Sequence, residues 1–161
     1  MSDKAFRVGT GYDIHRLGAA RPLILGAVEV PFESGLVGHS DADVIIHAIC
    51  DALLGAAALG DIGEHFPDSD PAYKGVASTK FLAKVQQLLA QAGYQIGNID
   101  ITVHAERPKL RDYKLTIRQR LAEILNLDIS QISLKGKTNE GLDSVGRKEA
   151  IAASVVALIY K

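Results

Sequence analysis

Residues 150–160 read AIAASVVALIY, and how they fold determines what the rest of the chain can be. Periodicity alone leaves them open: their Ile and Val content and their length allow a buried strand or a helix. Taken as a strand, they need partner strands, and the segments before them supply these. ISLKGKT (132–138) reads as a short strand. NIDITVH (98–104) alternates, with Ile99, Ile101 and Val103 on one face and Asp100, Thr102 and His104 on the other, the period of a half-buried strand. FRVGTGYDIH (6–15) is rich in β-branched and aromatic residues, and RPLILGAVEVPF (21–32) reads as a hairpin with Gly26 near its turn and Pro31 suited to an edge.

Helices fill the gaps. Ser40 or Asp41 is placed to cap a helix over about 41–59 that Gly60 ends, after a Gly/Ser loop at 33–40. Phe81, Leu82, Val85, Leu88, Leu89 and Ala92 recur at helical spacing before Gly93. Tyr113, Ile117, Leu121, Ile124 and Leu125 mark another amphipathic helix. DIGEHFPDSDPAYKG (61–75) reads as a long polar loop. The chain is thus predicted to be one α/β domain, 1–161, with helices against a sheet.

A chain of 161 residues can bury about 68–70% of its unfolded surface without disulfides or metal staples. Its net charge of −1 argues against bulk electrostatic binding to nucleic acid or an anionic membrane, but leaves room for a local phosphate site. Cys50 is the only cysteine, so no intrachain disulfide forms, and a reducing compartment is expected. The opening residues carry no apolar signal segment, and no apolar run nears the roughly 18–20 residues that span a bilayer. A cytoplasmic protein with neither nucleic acid nor membrane as partner is the expectation.

Two acid/histidine clusters stand out. In a strand, residues i and i+2 share a face, so Asp13 and His15 project together, with Tyr12 on the opposite side. In a helix, Asp43, His47 and Asp51 share a side. If strand end and helix meet, Asp13, His15 and His47 can converge as a three-ligand zinc site with an open position, and Asp51 can take the proton on the other nitrogen of His47. Gly9 and Gly11 would keep the approach to that site clear. A plainer account is also open: Asp43 favouring the helix dipole, His39 an ordinary loop residue, His65 and His104 surface or sheet-face residues. KGKTNEGLDSVGRKEA (135–150) offers Lys135, Lys137, Thr138, Arg147 and Lys148 among glycines. It suits phosphate, with Glu140 placed to hold a hard cation, or is simply a basic exposed turn. The cations of HAERPKLRD (104–112) fit a nucleotide or a solvated loop equally.

Taken together, GYDIH, GHSDADVIIHAICDALLGAAALGDIGEHFPDSDP and KTNEGLDSVGRKEAIA resemble the 2-C-methyl-D-erythritol 2,4-cyclodiphosphate synthases of the non-mevalonate isoprenoid pathway, in order and over nearly the whole chain. The resemblance implies a mixed four-stranded sheet with helices on one face, residues 150–160 being a strand, in a homotrimer with active sites at subunit interfaces. It implies one Zn²⁺ per subunit on Asp13, His15 and His47, and Mg²⁺ or Mn²⁺ on Glu140. His39 and Thr138 would polarise the transferring phosphate as the catalytic pair. Ser40, Asp61, Ile62, Gly63, Phe66, Pro67, Asp68, Ser69 and Asp70 would line the substrate, joined by Lys137 and Asn139. Ala105, Glu106, Arg107, Pro108, Lys109, Leu110 and Arg111 would hold the cytosine end. Tyr12, Ser144 and Arg147 match positions lining a central trimer cavity that holds isoprenoid diphosphates, Ser144 standing where relatives often carry an aromatic.

The implied reaction is intramolecular: the 2-phosphate of 4-diphosphocytidyl-2-C-methyl-D-erythritol 2-phosphate attacks the β-phosphorus of its own CDP group, closing the 2,4-cyclodiphosphate and expelling CMP. Alignment and charge neutralisation matter more to such a transfer than a general base. A zinc phosphohydrolase and a non-catalytic isoprenoid-diphosphate-binding trimer are the competing expectations.

Overall fold

Residues 150–160 are a strand, and it lies at the centre of the sheet. The computed structural model describes residues 5–19, 21–67 and 69–161. Strand β7 (Ala150–Tyr160) pairs antiparallel with β1 (Phe6–Gly18) on one side and β5 (Gln95–His104) on the other, and β5 pairs parallel with β6 (Ile132–Lys137). These are the four expected strands. A three-residue strand, β4 (Gly35–Val37), adds an edge beside β1 within what reads as a Gly/Ser loop, giving the order β4-β1-β7-β5-β6. The expected hairpin is a separate pair, β2 (Leu23–Leu25) and β3 (Val28–Val30). Ile151, Ala153, Val155, Ala157 and Ile159 of β7 lie in the core, but Ala150 and Ala152 are buried too, against Val145. Burial on both faces is what blurs the strand's alternation.

Helix α1 (Val44–Ala57) crosses β1 and β7 at close range. A Cβ on Gly9 would lie 2.0 Å from the Ala52 carbonyl oxygen, and one on Gly11 2.0 Å from that of Ala48. Helix and strand therefore meet backbone to backbone along a seam of glycine and alanine. This corrects the expected role of the two glycines: they make room for α1, not for a ligand. On the other face of the sheet Phe6, Val8, Tyr12, Ile14 and Val156 are exposed.

The cap of α1 is Asp43, not Ser40 or Asp41. Its buried carboxylate accepts from Ile45 N (3.1 Å) and Ile46 N (3.3 Å) at the helix start and from Gly26 N (2.9 Å) and Ala27 N (2.7 Å) of the hairpin turn. Gly26 and Ala27 have φ of 60° and 59°, as a two-residue turn matching strand twist requires. One side chain thus ends the hairpin and begins the helix, so Asp43 does not share a helix side with His47. Burial pushes its carboxyl up to about 6, against the pull of the N–H donors. Asp43→Ala strands these donors inside the protein and is expected to cost on the order of 3 kcal/mol in denaturant unfolding. The helix stops at Ala58, left-handed at φ 57°, two residues before Gly60.

The segment 61–75 is more ordered than a polar loop. Asp61 caps a short helix, α2 (Ile62–His65), and Asp70 caps a 3₁₀ turn at Pro71–Tyr73. Helices α3 (Ser78–Gln91) and α4 (Lys114–Leu125) follow the expected spacing, and α5 (Asp143–Gly146) is a single turn before β7. Among the described residues no helix is long and apolar enough to cross a membrane.

Candidate metal centre and substrate pockets

Strand alternation points Asp13 and His15 of β1 toward α1, whose first turn presents His47. Asp13 Oδ2 lies 2.9 Å from His47 Nδ1 and 3.0 Å from His15 Nε2, and the two imidazole nitrogens are 3.2 Å apart. A tetrahedral zinc with ligands at about 2.0 Å would hold such atoms about 3.3 Å apart, so two imidazoles and a carboxylate fit the ion as they stand. Among the described residues this is the one group of three or more His, Cys, Asp or Glu side chains so gathered. Burial alone would raise the Asp13 carboxyl, but hydrogen bonds from His15 and His47 and their charge hold it well below the usual carboxylate range, in the form that ligates metal.

Each imidazole is oriented from behind. His15 Nδ1 donates to the Val37 carbonyl of β4 at 3.0 Å, leaving Nε2 for the metal. The expected Asp51–His47 bond is absent. Asp51 Oδ1 instead accepts Ile62 N at 2.7 Å, tying α1 to α2, while His47 Nε2 meets Ser78 Oγ at 2.9 Å and Ser40 Oγ at 3.1 Å. Burial raises the Asp51 carboxyl.

The centre floors a cavity of about 280 Å³ that also takes in Gly38, His39, Ser40, Ile62, Gly63 and Phe66. Its far wall is aromatic: Phe66 and Phe81 stack at 4.6 Å, with Tyr73 edge-on to both. Arg21 donates to the carbonyls of Gly38 (3.0 Å) and Ser40 (2.7 Å), pinning the backbone on either side of His39. Asp61 and Asp70 spend their carboxylates as caps, Pro67 and Ser69 are exposed, and Asp68 lies outside the described residues.

A second, basic cavity of about 390 Å³ sits at the ends of β5 and β6, lined by Ala105, Pro108, Lys109, Leu110, Arg111, Lys114, Lys137 and Thr138. Thr138 Oγ1 donates to Glu140 Oε1 at 2.7 Å. The Glu106 side chain turns away from this cavity and accepts Asn139 N (2.8 Å) and Gly141 N (3.3 Å), lacing the 105–111 loop to the 138–141 loop. Asn139 in turn donates to Asp143. Arg107 leaves the group and joins Lys148 in a separate hollow. The two cavities share one end of the sheet, yet β1 and β6 are three strand positions apart, roughly 14 Å at the usual spacing. Tyr12 is on the open face, and Arg147 pairs with Glu149 at 3.1 Å, which raises the guanidinium.

Ser78, Asp41, Arg21, Lys114 and the Tyr73–Phe81 wall escape a reading of the sequence. Helical spacing marks Phe81 only as core, and nothing local signals the others.

A model of the YgbB family matches residues 6–160. The 2-C-methyl-D-erythritol 2,4-cyclodiphosphate synthase of Clostridium kluyveri is 56% identical over 154 residues, covering 96% of this chain and 94% of that one. Among solved structures, the bifunctional IspDF of Campylobacter jejuni is 39% identical with a TM-score of 0.94; the chain covers 98% of itself there but 43% of that longer protein. The Plasmodium falciparum IspF, solved as a CDP complex, is 38% identical with a TM-score of 0.85, over 98% of this chain and 97% of that one. Sequence match, fold and the meeting of β1 with α1 lead to one conclusion: this chain belongs to the YgbB family.

Proposed function

We propose that the chain converts 4-diphosphocytidyl-2-C-methyl-D-erythritol 2-phosphate to the 2,4-cyclodiphosphate with release of CMP, as a cyclising phosphorus–oxygen lyase of isoprenoid precursor biosynthesis. The observation that carries it is the Asp13–His15–His47 group, spaced for zinc and open to a cavity, in a chain 56% identical to a synthase of that name.

Zn²⁺ on that triad and Mg²⁺ or Mn²⁺ on Glu140 would neutralise phosphate charge and hold the diphosphate in line for attack. The rest falls to the chain. His39, with its backbone pinned by Arg21, and Thr138 would donate to the phosphate oxygens as charge moves between them. Lys109, Arg111, Lys114 and Lys137 would hold the nucleotide end, and Glu106 keeps the loops on either side of it in register. No base is required, since the attacking phosphate is already an anion. The strands that carry the two cavities stand roughly 14 Å apart, and the cavities come together most simply if the metal cavity of one copy meets the basic cavity of another, in a homotrimer with its sites at subunit interfaces. The open face bearing Tyr12 would then turn inward, with Ser144 and Arg147 near the trimer axis. A cytoplasmic location suits the unpaired, buried Cys50.

Incubating the metal-replete protein with that substrate tests the reading. CMP and a cyclic diphosphate in equal amounts are expected. Linear phosphates would make it a zinc hydrolase, and tight binding without turnover would make it a binding protein.

A further inference from the structure

We infer that Glu106 is a positioning residue: it does not touch the nucleotide, but holds the 138–141 turn in the shape that presents Thr138 and Glu140. The inference rests on the roles proposed above for those two residues. It starts from a carboxylate that belongs to the nucleotide loop yet points out of the nucleotide cavity.

Up to Lys137 the two loops need no side chain to tie them. β5 and β6 pair in parallel as far as His104 and Lys137, and Ala105 N adds a bond to Lys137 O at 2.8 Å. There the ladder ends, and both Thr138 and Glu140 lie beyond it. Glu106 takes over at that point. Its Oε1 accepts Asn139 N at 2.8 Å and Gly141 N at 3.3 Å. One oxygen thus stands in for the missing strand partner of two amides.

The turn so held is a costly one. Glu140 has φ 51° and Gly141 φ 80°. Glycine enters the left-handed region freely, but glutamate does so against steric resistance. Left-handed backbone of this kind gathers neighbouring amide hydrogens into a concavity that takes an anion. Here the protein supplies that anion itself. The amides of Asn139 and Gly141 are taken by Glu106, so a phosphate at this loop is left to the side chains of Thr138 and Lys137, which line the basic cavity. The residue between the two held amides is Glu140, whose Oε1 receives the Thr138 hydroxyl at 2.7 Å. Glu106 therefore sets the Thr138–Glu140 pair from behind. Leu142 N donates to Asn139 O at 2.9 Å and Asn139 Nδ2 to Asp143 Oδ2 at 2.8 Å, but these bonds close the turn on itself. Among the described residues, the Glu106 bonds are the ones that fasten residues 139–141 to the nucleotide loop.

The test compares Glu106→Ala and Glu106→Gln with the unmodified chain, each supplied with zinc. The readouts are amide hydrogen exchange at Asn139 and Gly141, kcat and KM for CMP release, and the Mg²⁺ concentration that gives half the maximal rate. Glutamine keeps the accepting oxygen. In Glu106→Ala the two amides are expected to exchange faster. Its kcat should fall about 100-fold with KM little changed, the mark of misplaced groups rather than lost binding. Half-saturating Mg²⁺ should rise about tenfold, as when a partner behind a metal ligand is removed. Glu106→Gln is expected to restore slow exchange and most of kcat. A merely structural role would lower the melting temperature of Glu106→Ala and leave its kcat and Mg²⁺ dependence alone, which overturns the inference. So does a glutamine variant as impaired as the alanine one. An unmodified chain that releases no CMP overturns the proposed reaction instead, and the exchange rates of Asn139 and Gly141 then still decide whether Glu106 holds the turn.

Discussion

His47→Ala should abolish metal binding at the proposed zinc site and slow CMP formation by about three orders of magnitude while leaving the fold in place. The triad offers three ligand atoms within about 3 Å of one another, and removing one leaves a strand-borne pair, Asp13 and His15. A metal that stabilises transferring charge by several kcal/mol is lost with its site, and about 4 kcal/mol is a thousandfold in rate. Folding has no such dependence. The core of α1 is Ile45, Ile46, Ile49, Leu53 and Leu54, all fully buried, and His47 projects to the edge of that layer. Metal content by emission spectroscopy, CMP release and thermal melting should therefore separate: the first two collapse and the third moves by a few degrees. Stoichiometric zinc in the purified variant would refute the ligand set.

Gly11→Ala should do the reverse, damaging the fold first and the site through it. A methyl group there would sit 2.0 Å from the Ala48 carbonyl oxygen and 2.8 Å from Ala52 N, backbone atoms of a helix that cannot step aside without dragging its buried side chains. Overpacking of this kind costs on the order of 3 kcal/mol or more. In a chain of 161 residues that is a fall of roughly 10 °C in melting temperature. Because Asp13 and His15 ride on β1 and His47 on α1, any outward shift of the helix also opens the triad. Zinc affinity should fall although no ligand has changed. A melting temperature and zinc affinity equal to those of the unmodified chain would show that the layers can part freely.

What the sequence disclosed follows the range of the interactions. Asp13 and His15 declare a shared face because strand alternation is a two-residue rule, and helices α3 and α4 declare themselves because their polar and apolar faces are separate. β7 does not, since Ala150 and Ala152 are buried on the face that would ordinarily be polar. Asp43 reads as one acid among Asp41, Asp43 and Asp51, and only the structure shows its carboxylate taking Ile45 N and Ile46 N of the helix together with Gly26 N and Ala27 N of the hairpin turn. The order in 61–75 comes from Asp61 and Asp70 acting as caps, which a composition rich in Asp, Gly and Pro conceals. Helical spacing places Asp51 beside His47, but its bond goes to Ile62 N, a group the helix face does not reveal. Ser78 meets His47 across a distance in sequence that no local pattern spans.

The place of β7 also has a consequence for how the protein is made. Every other element precedes it in the chain, so on a ribosome β1 and β5 emerge with no strand to join them. Until residues 150–160 leave the exit tunnel, both present unpaired edges, the condition that favours misassociation of nascent chains. The sheet closes in a single late event that brings residues 6–16 onto 150–160 and 95–104 onto 152–160. Chains made only as far as β6 are therefore the ones most open to misassociation through their strand edges.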